Sequence, residues 1–224
     1  MNELALQAMA EVRALGEQAP PGKHIATGDI RRLSARLYRS IEEKTPARLL
    51  PLCEELLEQR DWALGVMAFD WAYRIRAQYD GETYPVFFGW LKKYVRGWGD
   101  CDDFCTHAFG ELLRRQKHLF PQVCQWTGDG DFWVRRASAV ILIPSILRED
   151  YQGIDPFRIS NALLADSHQL VQKGYGWMLK CLPEKEPEKV KAYLKERHEL
   201  MPRTAFRYAL EKFDKETRRE LMAL

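Results

Sequence analysis

Apolar residues in this chain recur at helical spacing from one end to the other, and no stretch alternates apolar and polar residues as a half-buried strand would. Leu33, Leu37, Tyr38 and Ile41 fall on one helical face, as do Leu49, Leu52 and Leu56, and then Leu64, Met67, Ala68, Trp71 and Ile75. Breaks come at Pro20-Pro21-Gly22, Thr45-Pro46, Asp80-Gly81, Gly128-Asp129-Gly130, Gly153-Ile154-Asp155-Pro156, Pro183, Pro187 and Pro202. Proline and glycine punctuate helices, so the pattern predicts helices of about 10–20 residues joined by short turns. Thr45-Pro46 and Asp155-Pro156 each read as an N-cap followed by proline at the first helical position, where the missing N–H costs nothing. Helical hairpins in series stack into an all-α solenoid whose concave face is a long binding surface. No fixed period is legible, so the repeat reading rests on helix lengths.

At 224 residues the chain is long enough for one helical-repeat domain, 1–224, with a large core. No apolar run approaches the roughly 20 residues of a membrane span, and Met1-Asn2-Glu3-Leu4-Ala5 lacks the basic start of a signal peptide. Five cysteines without framework spacing are expected to be free thiols in a reducing cytoplasm. Cys101 and Cys105 stand four apart with His107 near, but no second cluster completes a zinc set, so no metal is expected. A net charge of +2 does not announce a nucleic-acid binder. The basic pairs Arg31-Arg32, Lys92-Lys93, Arg114-Arg115, Arg135-Arg136 and Arg218-Arg219 either face solvent or line one surface facing phosphates.

Chemistry concentrates in four stretches. Trp98-Gly99-Asp100-Cys101-Asp102-Asp103 crowds three carboxylates at an expected helix start, between helical patterns at Phe87–Arg96 and Asp102–Lys117. Acids there cap free N–H groups and complement the helix dipole, but capping alone needs one acid. Phe132-Trp133-Val134-Arg135-Arg136 sets a basic pair at the rim of an apolar helix, Ala137 to Leu147, where it would hold phosphates, stay solvated on the helix surface, or pair with Asp102 or Asp103. Lys173-Gly174-Tyr175-Gly176-Trp177 places two glycines inside a helical pattern, at about 1 kcal/mol each relative to alanine. They admit either a neighbouring helix or the backbone of DNA. Arg203 and Arg207 stand four apart, on one helical face. Of the remaining tryptophans, Trp62, Trp71 and Trp90 are assigned to packing.

Taken together, W-x-x-x-D at Trp98 and Asp102, W-V-R-R at Trp133 to Arg136, K-G-Y-G-W at Lys173 to Trp177 and P-R-T-A-F-R at Pro202 to Arg207 resemble the AlkD-type DNA alkylation repair glycosylases. Their order and spacing match from Trp98 to Tyr208, and Arg60-Asp61-Trp62-Ala63 in the first half is similar too. The resemblance implies HEAT-like repeats forming a C-shaped, positively charged groove for duplex DNA. It implies excision of cationic N3- and N7-alkylated purines by a monomer without metal or organic cofactor. It assigns Asp102 as the catalytic carboxylate, Trp98 and Trp177 as aromatic walls around the lesion's sugar, and Arg136 as the arginine on the adjacent phosphate. Arg135, Lys173, Arg203 and Arg207 would be supporting DNA contacts. Gly99 and Asp100 depart from some relatives, and Asp103 competes with Asp102 for the role of working acid.

The chemistry agrees with those residues. An alkylated purine is already cationic and leaves as a neutral base, so what remains to be stabilised is an oxocarbenium-like sugar beside a carboxylate. Two other classes stay open at this point: a noncatalytic helical-repeat module that binds DNA or protein, and a metal-dependent hydrolase using Asp100, Asp102, Asp103 and His107, for which adjacent helix positions diverge.

Overall fold

The computed structural model describes residues 2–18, 20, 22 and 24–224. Pro21 of the first expected break, and Met1, lie outside the described residues. All regular secondary structure among the described residues is helical, and the chain divides into two compact units at Leu112/Leu113.

The first unit is built from α1 (Glu3–Gln18), α2 (Thr27–Arg39), α3 (Pro46–Glu58), α4 (Trp62–Arg74), α5 (Thr83–Tyr94) and α6 (Trp98–Thr106). Its centre is α4, apolar around most of its circumference and buried from Ala63 to Ala72, with α2, α3 and α6 packed on it. A helix with so little polar surface has to be covered on every side. Phe69 of α4 stacks on Phe104 of α6 with centroids 4.4 Å apart, and Phe87 meets Phe104 edge-on at 5.3 Å. Trp71 and Trp90 are buried in this core, as expected. Asp70 is also buried there and is satisfied by the Ser34 hydroxyl at 2.5 Å and by Arg74 Nε at 2.9 Å.

A helix α7 (Ala108–Arg115) carries the chain across the boundary. The second unit continues with α8 (Phe120–Gln125), α9 (Phe132–Val140), α10 (Ile143–Leu147), α11 (Pro156–Leu163), α12 (Gln169–Lys180), α13 (Pro187–Arg197), α14 (Arg203–Ala209) and α15 (Lys215–Met222). Here α12 is central, packed against α9 on one side and α14 on the other. The two glycines of α12 make this possible. A Cβ on Gly176 would stand 2.8 Å from both the Ala205 carbonyl and Tyr208 Cβ of α14, and one on Gly174 would stand 3.0 Å from Arg136 Cγ of α9. Helix packing therefore explains both glycines.

Several boundaries differ from expectation. The helix expected from Asp102 to Lys117 begins at Trp98 and breaks at His107, whose ψ of −95° interrupts the backbone ladder, so Asp102 lies in the second turn of α6, not the first. The run from Ala137 to Leu147 divides into α9 and α10 ahead of Pro144. Asp155 caps α11 as expected, accepting from Phe157 N at 2.9 Å. Thr45 occupies the N-cap position of α3, but its hydroxyl turns to Glu43 at 3.0 Å and makes no cap.

Candidate catalytic acid and nucleic-acid contacts

The start of α6 is built around glycine. Gly97 is its N-cap in extended conformation and offers no side-chain acceptor, and Asp100, three residues on, reaches back past it to accept from the Arg96 backbone N–H at 3.3 Å. Burial pushes the Asp100 carboxyl above its ordinary range, against backbone hydrogen bonds that pull it down. Trp98, the first helical residue, is 65% exposed. Asp102 lies one turn later on the same face, half-buried, its backbone carbonyl accepting from Thr106 Oγ1 at 2.6 Å.

Asp103 lies about 100° further round α6. Its Oδ1 pairs with Arg31 of α2 and with His107 Nδ1 at 3.2 Å, and Arg31 also reaches Asp70 of α4 at 3.6 Å. The hydrogen bond that His107 donates to the Asp103 carboxylate raises the His107 pKa, against the cost of burial. Asp103 thus ties α6 to α2 and, through Arg31, to α4.

In the second unit, Asp131 caps α9 by accepting from Trp133 N at 2.9 Å. Arg135 is held internally: its Nε donates to Asp166 at 2.6 Å, and its Nη1 donates to the Asp129 and Gly130 carbonyls at 2.9 and 3.2 Å. Its acid is Asp166, and the guanidinium staples the turn before α9 to the loop before α12. Arg136 is not at a rim. It is 5% exposed, lies across Gly174, and donates from Nη1 to the Leu170 carbonyl at 2.5 Å. Lys173 and Trp177 are both half-buried. At about 100° per residue they occupy the stripe of α12 between the Gly174 and Gly176 contact lines. Arg203 and Arg207 are exposed on one face of α14, with the Arg203 guanidinium 5.6 Å from the Phe206 ring.

Most other basic pairs meet acids. Arg114 and Lys117 converge on Asp150, Arg32 pairs with Asp29, and Lys93 lies near Glu54 and Glu58 at 3.5 and 3.6 Å. Cys101 and Cys105 are buried, and no three His, Cys, Asp or Glu side chains gather to hold a metal among the described residues. No helix among them is long and apolar enough to cross a membrane.

A sequence profile of the family described as DNA alkylation repair enzyme matches residues 10–213. The chain belongs to that family. Its fold is the all-α helical-repeat fold of solved DNA alkylation repair proteins. It superposes on a predicted DNA alkylation repair enzyme from Enterococcus faecalis with TM-score 0.64 and 17% identity, covering 95% of this chain and 96% of that one. AlkD2 from Streptococcus mutans gives 0.64 and 19%, over 92% and 99% of the two chains. The smu.31 protein from Streptococcus mutans UA159 gives 0.65 and 17%, over 95% and 100%. A comparison with curated protein sequences returns no significant match.

In this DNA alkylation repair protein Trp62 departs from the packing role expected of it. It opens α4 after its cap Asp61, is 42% exposed, and joins Trp98 and Thr27 around a cleft of about 550 Å³. These three residues are the first of α4, α6 and α2. An aromatic just after an N-capping aspartate was the available signal, because a first-turn side chain stands at the end of the helix, beyond the core it feeds.

Proposed function

We propose that the protein is a DNA glycosylase that hydrolyses the N-glycosidic bond of cationic N3- or N7-alkylated purines in duplex DNA, with water as nucleophile and no metal or organic cofactor. The observation that carries this reading is the pair on α6: Trp98 is exposed and Asp102 stands one turn behind it, while the neighbouring Asp103 is committed to Arg31 and His107. On this reading Asp102, four residues after Trp98, is the working acid. As the C1′–N bond breaks, the bond electrons return to the alkylated base, which departs neutral. Asp102 stabilises the oxocarbenium-like sugar and orients the water whose oxygen bonds C1′, and the water's proton passes to the carboxylate or solvent. The ring face of Trp98 favours the developing cation by about 0.5–2 kcal/mol, and the resemblance gives Trp177 the same part. Arg203, Arg207 and Lys173 contact DNA phosphates, and Arg136 braces α12 beneath Lys173 and Trp177. The protein works as a monomer in the cytoplasm.

The test is release of 7-methylguanine and 3-methyladenine from methylated duplex DNA in EDTA, by the wild type beside Asp102→Asn. Release by the wild type, reduced about 10²-fold or more in the variant while DNA is still bound, is expected. Equal release by both overturns the assignment of Asp102. Binding without release by either points to a noncatalytic reader.

A further inference from the structure

Trp62 also borders a second, narrower space of about 130 Å³, entirely within the first unit. Trp62 forms one wall, Phe69 and Gly65 of α4 line its interior, and Asp100 borders it. Arg60 and Arg96 also line it and are exposed.

Both guanidiniums are fixed in place by the end of α5. Arg96 Nη1 donates to the Val95 and Lys92 carbonyls at 2.7 and 3.2 Å. Arg60 Nη1 donates to the Lys93 carbonyl, and its guanidinium lies 4.8 Å from the centre of the Tyr94 ring. Arg60 adopts φ 56°, the left-handed conformation common just after a helix C-cap, here Gln59 of α3, and its backbone N–H donates to the Leu57 carbonyl at 3.2 Å. The space therefore combines an aromatic wall, a carboxyl group able to meet a hydrogen-bonding edge, and two preorganised cations.

Gly65 supplies an independent observation. A glycine in a helix interior is destabilising by about 0.5–1 kcal/mol relative to alanine, and close helix packing usually explains it. At Gly65 no atom lies within 4 Å of an added Cβ, in contrast to Gly174 and Gly176 of α12. What its missing side chain keeps open is the slot.

We propose that this slot seats a single unpaired nucleotide, its base against the Trp62 ring and its phosphate on Arg60 and Arg96. Base stacking on an aromatic ring is tolerant of sequence, and phosphate contacts fix register, so such a site holds one nucleotide whatever its base. The proposal rests on DNA being the protein's ligand and extends that reading to unstacked nucleotides. An extrahelical nucleotide of a duplex and a free mononucleotide present the same chemistry.

The experiment compares the wild type with Gly65→Leu, which fills the slot, and Trp62→Ala, which removes an exposed wall, after thermal melting has established that both fold. Three probes are used: a fully paired duplex, the same duplex with a one-nucleotide bulge, and a deoxynucleoside monophosphate observed by saturation-transfer NMR. The wild type is expected to bind the bulged duplex about tenfold more tightly than the paired one. Both variants should lose that preference together with the mononucleotide signal. A mononucleotide signal that depends on Gly65, without any bulge preference, supports the slot and identifies its occupant as a free nucleotide. Absence of both effects in the wild type, or their persistence in Gly65→Leu, overturns the proposal. Paired-duplex binding and base release report separately on the glycosylase reading, and the mononucleotide arm stays readable if that reading fails.

Discussion

Two dipeptides of like charge, Asp102-Asp103 on α6 and Arg135-Arg136 on α9, sit on helices of different units and are divided in the same way. Adjacent residues diverge by about 100° round a helix, so the two members of each pair cannot face one place. On α6, Asp103 pairs with Arg31 and His107 at the edge of the cleft that Trp98 borders, while Asp102 stands four residues after Trp98 on its helical face. On α9, Arg135 is held by Asp166 and two carbonyls, while Arg136 lies across Gly174. In each pair the two charges take different partners, Asp103 across to α2 and Arg135 to Asp166. The difference is in exposure. The α6 pair opens toward a tryptophan at the surface, whereas both arginines of α9 are drawn into packing and the exposed cations of that unit's motifs are Arg203 and Arg207 on α14.

The strongest way to break this comparison is to remove the structural member of the basic pair. Arg135→Ala leaves Asp166, whose side chain is 7% exposed, without its guanidinium. A loss of about 3 kcal/mol is expected from the urea midpoint, and an unchanged midpoint would show that Arg135 is no staple. Gly176→Ala should cost about 1–3 kcal/mol, because the new methyl meets the Ala205 carbonyl at 2.8 Å and the backbone has to move. Gly65→Ala serves as its control in the other unit, with an expected gain of about 0.5–1 kcal/mol, since the added Cβ enters open space. Destabilisation at Gly65, or none at Gly176, would reverse the contrast between the two glycines.

The acidic pair is tested through pH. Because Asp103 raises the His107 pKa in the folded state, the linked stability is fully present below the unfolded value of about 6.5 and disappears as pH rises through the folded value. Arg31 faces the same carboxylate and Tyr73 lies edge-on to the imidazole at 5.7 Å, so the effect is modest. Urea midpoints measured across this range should fall with rising pH in the wild type and become flatter in Asp103→Asn. Equal slopes would remove His107 from the network. The smallest effects belong to the exposed arginines. Arg203→Ala and Arg207→Ala should leave stability unchanged and each reduce the salt slope of duplex binding by about 1, and an unaltered slope would exclude that residue from the phosphate contacts.

Much of this was legible in the chain. The buried positions Leu33, Leu37, Leu49, Leu56, Met67 and Trp71 come directly from helical spacing, and Asp155-Pro156 marks the start of α11. The four motifs that resemble a repair glycosylase fall within a chain whose family is DNA alkylation repair enzyme. Less was legible where partners come from distant sequence. That Asp166 holds Arg135, and that Arg31 holds Asp103, are pairings 31 and 72 residues apart. The start of α6 was misplaced because Gly97 is a poor sequence marker for an N-cap and the capping acceptor, Asp100, lies inside the helix. Trp62 was taken for core because helical period places a residue on a face of α4, whereas its exposure is set by its position at the helix end, where α4 opens onto the cleft.

The sequence by itself determined the all-helical architecture, the apolar faces, the family and the motifs that carry the proposed chemistry, because periodicity, proline and glycine act over a few residues. Only the tertiary structure decided which of two adjacent charges serves the fold, that Gly174 and Gly176 are clearances for helices, and that Gly65 borders an open slot. Those outcomes depend on side chains brought together by packing, and a charge or a glycine takes its role from what the fold places within a few ångströms of it.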